Sequence, residues 1–280
     1  MRLRALFVRA LGLAAVPVIS LVGQPAGAPP RWPADSAALD SAIWAGRRLG
    51  YQGKFADAIT AYSAALARWP DEPRLLRHRG HRYISQRDYA RASTDLTRAA
   101  ERTRGWALEI EPDGQPNAKG IPVSTLQYNI WYHLGLAEWL RGDARAALAA
   151  YQQCLDVSRN DDSRVAARYW LWQILMRLGR RDDAAAMARA TRTETDLIEN
   201  QSYARLLALF DGRATPAELS PSTGAAALDD VTLGYGLGAW HRANGRMAEA
   251  RAAWERVVRG PGPQAAFGAL AAREELSRLP

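Results

Sequence analysis

Two histidines three residues apart, His78 and His81, are the pattern in this chain that most suggests a metal. At i and i+3 they share one helix face, but zinc needs more ligands, and neither a cysteine nor a third histidine lies nearby in sequence. A pair on a helix surface is the reading that this spacing supports. Glu109, Glu111 and Asp113 form an acidic group in a Pro/Gly-rich stretch. Three carboxylates there suit a cation or a basic partner, yet they lack the spacing of a calcium hand. The pairs Asp161-Asp162, Asp182-Asp183 and Asp229-Asp230 fall at or near predicted helix starts. There they complement the positive end of the helix dipole, which explains them without catalysis. The sequence contains no nucleophile elbow, phosphate loop or Gly-rich dinucleotide turn. No residue group calls for a cofactor, and the expectation is a protein that is not an enzyme.

The elements that position these residues are helical. From Tyr128 to Leu155 two helices meet at the turn Arg141-Gly142-Asp143. On the first, Trp131, Leu134 and Gly135 fall at i, i+3 and i+4 and share a face; Ala147, Tyr151, Cys154 and Leu155 do so on the second. Gly135 has no side chain, so the partner helix approaches closely, and Gly142 supplies a permissive backbone at the break. Turn glycines recur at Gly179, Gly212 and Gly245, with spacings from Gly142 of 37, 33 and 33 residues.

The order W-x-x-L-G, then G-D, then A-x-x-x-Y-x-x-C resembles the tetratricopeptide repeat, a helix–turn–helix unit of about 34 residues. In the frame set by Gly142, residues 39–72 match at Gly53, Phe55, Ala58, Tyr62, Ala65 and Pro70. Residues 73–106 match at Gly80, Tyr83, Tyr89, Ala92, Leu96 and Ala99, although Arg87 stands where the family prefers a turn glycine. A unit at about 165–198 departs from the pattern at Arg168, and one at about 198–231 is degenerate because Pro216, Pro221 and Gly224 spoil its second helix. The last full unit runs from about 231 to 264 and stops at Gly260-Pro-Gly-Pro263. The resemblance implies an all-α, right-handed α-solenoid. Its expected layout is repeats 1–2 over 39–106, a Pro/Gly-rich insert over 107–127, repeats 3–6 over 128–264 and a capping helix over 265–280. Ser124 is placed to cap the helix after the insert. Cys154 stands at a repeat position that normally holds a small buried residue, and is expected to be inert.

In this family the first helix of each unit lines the concave surface. Carrying those repeat positions over gives Arg47, Tyr51, Arg74, Arg77 and His81 at the arginine-bearing end, with Asn129, Tyr132 and Trp139 in the third unit. Tyr169 and Gln173 follow in the fourth and Tyr235 and Arg242 in the last. Aromatic and arginine side chains are the usual anchors of binding surfaces. The alternative for each is packing between neighbouring helices. The family's lysine and asparagine clamp for chaperone tails has no counterpart here.

Charge and the N-terminus bound location and partners. The formal charge is +8, almost all of the basic excess is arginine, and Lys54 and Lys119 are the only lysines. The arginines are spread beside Asp and Glu rather than clustered, so a solvated helical surface is expected and no nucleic acid. Arg2, Arg4 and Arg9, an apolar run from Leu11 to Val22 and Ala26-Gly27-Ala28 read as an export signal over 1–28, followed by a linker over 29–38. Its loss removes three arginines and no acid, taking the charge from +8 to +5. The expectation is a periplasmic or secreted protein; the alternative is an inner-membrane anchor, the segment being left uncleaved. The resulting functional expectation is a non-enzymatic scaffold for a protein or peptide ligand. The alternative is an envelope enzyme or enzyme subunit that uses the acidic insert.

Overall fold

The first helix of each hairpin in this chain ends where a residue turns left-handed. The structure, a computed structural model, describes residues 36–112, 117, 119–219 and 227–280. The expected signal segment and most of the linker therefore lie outside the described residues, as does Asp113. Five helical hairpins follow one another: α1 (Ser36–Tyr51) with α2 (Phe55–Arg68), α3 (Pro73–Ser85) with α4 (Tyr89–Arg102), α5 (Leu126–Arg141) with α6 (Ala144–Asp156), α7 (Asp161–Arg177) with α8 (Arg181–Arg189), and α10 (Ala227–Ala243) with α11 (Met247–Arg259). Between the last two hairpins stands α9 (Gln201–Phe210) alone, its second helix reduced to a 3-10 turn at Pro216–Leu219. The final element is α12 (Phe267–Ser277). No helix of the described residues is long and apolar enough to cross a membrane.

The turn residues carry positive φ, 75° at Gly53, 93° at Gly142, 76° at Gly179 and 75° at Gly245. Arg87 does the same work at φ 64°, a conformation that a residue with a Cβ adopts at a cost. Asp88 and Asp143 cap the helices that follow, accepting from the backbone N–H of Arg91 and Ala146. The cap of α5 is Thr125, which accepts from Tyr128 N–H; Ser124 instead accepts from the Asn129 side chain, one residue off the expected cap. Helix crossings are as close as the repeat pattern requires. A Cβ on Gly135 would sit 2.5 Å from the Tyr151 ring, and Gly80 and Gly238 meet Leu96 and Trp254 in the same way.

Asp161 and Asp162 open α7 as expected, but Asp162 is buried and does more than complement its own dipole. Its carboxylate accepts the backbone N–H groups of Ile198, Glu199 and Asn200, each at 2.8 Å, and so fixes the start of α9 against the start of α7. Arg168, the departure from the repeat pattern, is explained by its ion pair with the buried Glu194.

The largest correction concerns α12. Read as a cap on the solenoid's apolar end, it does pack on α10 and α11, but it also reaches back across the concave side to α5. The Phe267 ring lies 5.4 Å from His81 and 5.6 Å from His133, and Glu274 pairs with Arg87. Ala269, Leu270, Ala271 and Ala272 are all buried. The concave side is thus a filled interior rather than an open wall.

Candidate functional site

Two segments of the chain occupy the concave side, and they sort the expected groove residues into two groups. In the N-terminal group the insert returns as an extended strip. Glu109 and Glu111 are tied to α5 through Leu126 N–H to Glu109 O at 2.8 Å and Glu111 N–H to Ser124 O at 3.1 Å. This strip crosses α1 and α3. Arg47 donates to the Pro112 carbonyl at 2.8 Å and lies over the Trp44 ring. Arg77 meets the Glu111 carboxylate at 3.2 Å, His78 Nε2 at 3.0 Å, and the Asn129 side chain donates to it at 2.6 Å. Arg47, His78, Glu109 and Glu111, together with Trp44, Arg74 and Leu126, line a cavity of about 190 Å³.

The electrostatics of this centre are consistent. Burial alone would raise the Glu111 carboxyl, but Arg77 first, then His78 and Asn129, hold it well below the usual carboxylate range. Burial, then Arg77, pushes His78 down to about 4. A neutral His78 fits its neighbours: Nε2 lies 3.0 Å from the Glu111 carboxylate while Nδ1 accepts from Arg77 at 2.9 Å. The two histidines are not the expected surface pair. His78 is buried against Glu111, and His81 turns toward His133, their rings 4.3 Å apart. Arg74 is engaged by Asp40 at 2.8 Å and Glu72 at 2.9 Å, and Tyr51 is exposed with its hydroxyl accepting from Arg47.

The second group is buried. Tyr132, Trp139, Tyr169, Gln173 and Tyr235 are each 7% exposed or less, so they form a shared core and not a surface patch. Trp139 Nε1 donates to Tyr235 Oη at 3.0 Å, Trp170 Nε1 to Tyr132 Oη at 2.8 Å, and Tyr169 stacks on Tyr203 at 4.4 Å. First helices that are far apart in the chain therefore touch directly. Arg242 is partly covered and pairs with Glu275 of α12 at 2.6 Å, and Arg177 pairs with the same carboxylate. Sequence reasoning missed Glu274 and Glu275. The available signal was an acidic pair on the last helix of an arginine-rich chain, but nothing local names their partners. It also missed His133, whose burial, with Arg77 as the next cause, lowers it to about 3. Cys154 is fully buried, and burial pushes its thiol well above the ordinary range. Among the described residues no group of three or more His, Cys, Asp or Glu is placed to hold a metal ion.

Hairpins in series, close-approach glycines and left-handed turns define an α-solenoid of two-helix repeats. Models of the tetratricopeptide repeat match two stretches of the chain, residues 45–107 and 128–161. Among solved structures it is similar to a tetratricopeptide repeat protein from Parabacteroides merdae ATCC 43184, at 16% identity and a TM-score of 0.51 over 87% of this chain and 86% of that one. It also shares 16% identity with MamA, TM-score 0.41 over 84% and 97% of the two chains. YrrB, a TPR protein with an unusual peptide-binding site, gives 16%, 0.44, 85% and 97%. At this identity the likeness concerns the fold, and of the three the Parabacteroides merdae chain is the one that bears on it. Comparison with curated proteins finds no match.

Proposed function

We propose that the protein is a non-enzymatic scaffold of the cell envelope that binds an extended, acidic segment of a partner protein along its first two repeats. One observation carries the reading: the chain's own strip around Glu111 lies there, its carboxylate received by Arg77, His78 and Asn129. The strip is extended and its backbone is gripped by Arg47, which is how a repeat groove holds a peptide without reading every side chain. The enzyme alternative has less support, because the Glu111 carboxylate is committed to ion pairs and hydrogen bonds. Envelope location is supported by Arg2, Arg4, Arg9 and the apolar run that follows them.

The test replaces residues 107–121 by a Gly/Ser linker in the otherwise full chain and supplies the peptide Ala-Leu-Glu-Ile-Glu-Pro, residues 107–112, in trans. Binding that weakens at least tenfold in the peptide carrying Glu111→Gln supports the groove as a receptor. Equal binding of both peptides to a variant whose helicity is intact overturns it. Export is tested separately by intact mass from the native cell type, where a mature chain beginning near Pro29 is expected.

A further inference from the structure

A pocket of about 290 Å³ opens between α7, the start of α8 and the end of α10, away from the Glu111 strip. Its lining brings together Arg177, Arg181 and Arg242 with the Gln173 carboxamide, and no carboxylate stands among the described lining residues. Behind the pocket the Glu275 carboxylate, 4% exposed, bridges Arg177 and Arg242. That single negative charge against three guanidiniums leaves two positive charges facing one cavity. The two bridged arginines are also held in place by aromatic faces, Arg177 at 4.1 Å from the Trp139 ring centre and Arg242 at 5.8 Å from that of Trp254. Each remains about a fifth exposed (21% and 22%), so its unused N–H groups are available to a ligand.

Gln173 is the second observation. It is 2% exposed, and neither its amide nitrogen nor its amide oxygen has a hydrogen-bond partner. The Tyr169 hydroxyl interacts with it but without hydrogen-bond geometry, and is itself unpartnered. Buried polar groups of this kind are uncommon because each costs the free energy of its lost solvation. Gln173 lines the cationic pocket, and a small rotation of its side chain would offer the amide N–H₂ to an oxyanion there. Guanidinium groups add paired N–H donors that match phosphate and carboxylate oxygens.

We propose that this pocket binds a small dianion, either a phosphate monoester or a dicarboxylate, whose two negative charges match the two uncompensated guanidiniums. Trp172, Met176, Ala239 and Ala243 complete the wall and offer apolar surface to the carbon part of such a ligand. The inference does not rest on the peptide groove, which lies on α1, α3 and α5.

The experiment is calorimetric titration of the full chain, at low and constant ionic strength, with inorganic phosphate, with succinate and with neutral succinamide. Saturable one-site binding of phosphate or succinate is expected, and which of the two binds identifies the source of the charge. Arg181→Gln, at an exposed rim position, should raise the dissociation constant at least threefold with an unchanged melt. Gln173→Met, which removes the buried amide at similar length, should raise it at least fivefold and melt no lower than the wild type. If Gln173→Met fails to fold, Arg181→Gln and the wild-type Gln173 side-chain amide signal, followed by NMR during titration, carry the test. No saturable binding of either dianion, equal binding of succinamide, or full affinity in folded variants overturns the proposal.

Discussion

Tyr89 donates its hydroxyl hydrogen bond to Glu274 at 2.9 Å across 185 residues of chain, joining the turn of the second repeat to the last helix. Tyr89→Phe deletes that donor with little change of shape. A hydrogen bond to a charged acceptor contributes about 1.5–3 kcal/mol, so a loss of that order is expected in urea unfolding. Amide exchange over 267–277 should quicken at the same time. If exchange there is unchanged, the Tyr89 hydrogen bond plays no part in holding α12.

Arg87 sets two effects against each other. Its positive φ of 64° costs a residue with a side chain about 1–2 kcal/mol that glycine avoids. Its ion pair with Glu274 at 3.0 Å is half exposed on the arginine side, and such pairs contribute about 0–1 kcal/mol. Arg87→Gly should therefore be neutral or stabilising by up to about 2 kcal/mol. A clear loss in thermal melting would show that the tie to α12 outweighs the backbone.

At the third hairpin, Gly135→Leu has no room, because even a Cβ meets the buried Tyr151 ring at 2.5 Å. Overpacking costs about 1–3 kcal/mol, occasionally more, and here the ring is enclosed on every side. A melt equal to that of the wild type would mean that α5 and α6 cross elsewhere. Cys154→Ala should be mild by comparison.

Trp139→Ala and Tyr169→Ala should act on stability rather than on recognition. Both side chains are 1% exposed, and truncating a buried aromatic costs about 3–5 kcal/mol, a large part of a domain's total. Variants that fold with wild-type stability would return these residues to a surface.

The pH dependence follows from His78 and His133, lowered to about 4 and about 3 mainly by burial. Below their unfolded value near 6.5 the unfolded chain binds protons that the folded chain refuses, so stability falls with pH from about 6.5 toward those values. Each histidine contributes a slope of at most about 1.4 kcal/mol per pH unit. Glu111 acts lower: its depressed carboxyl contributes stability above the ordinary carboxylate value, lost as pH falls through its own. Melting temperature should drop steadily from pH 7 to 5, and less steeply in His133→Phe. An unaltered slope in that variant would remove His133 from the account.

The hairpins, their turns and their close crossings were legible because each is a local pattern. Gly135 against Tyr151 and Gly142 at its turn depend on residues within one repeat, and the 3.6-residue period places them. Arg47, Arg77 and Asn129 meet the insert from first helices, because repeat phase sets which face of the first helix looks inward. What the phase does not set is whether that side stays open. Closure depends on small rotations summed over every repeat, on an insert that folds back and on an α9 unit that lacks its partner helix. Only the assembled solenoid therefore turned Trp139 and Tyr235 into neighbours 96 residues apart. Glu274 and Glu275 illustrate the same limit. Their positions on α12 follow from local periodicity, but Arg87 reaches Glu274 only because the chain curves far enough to bring its last helix against its second repeat.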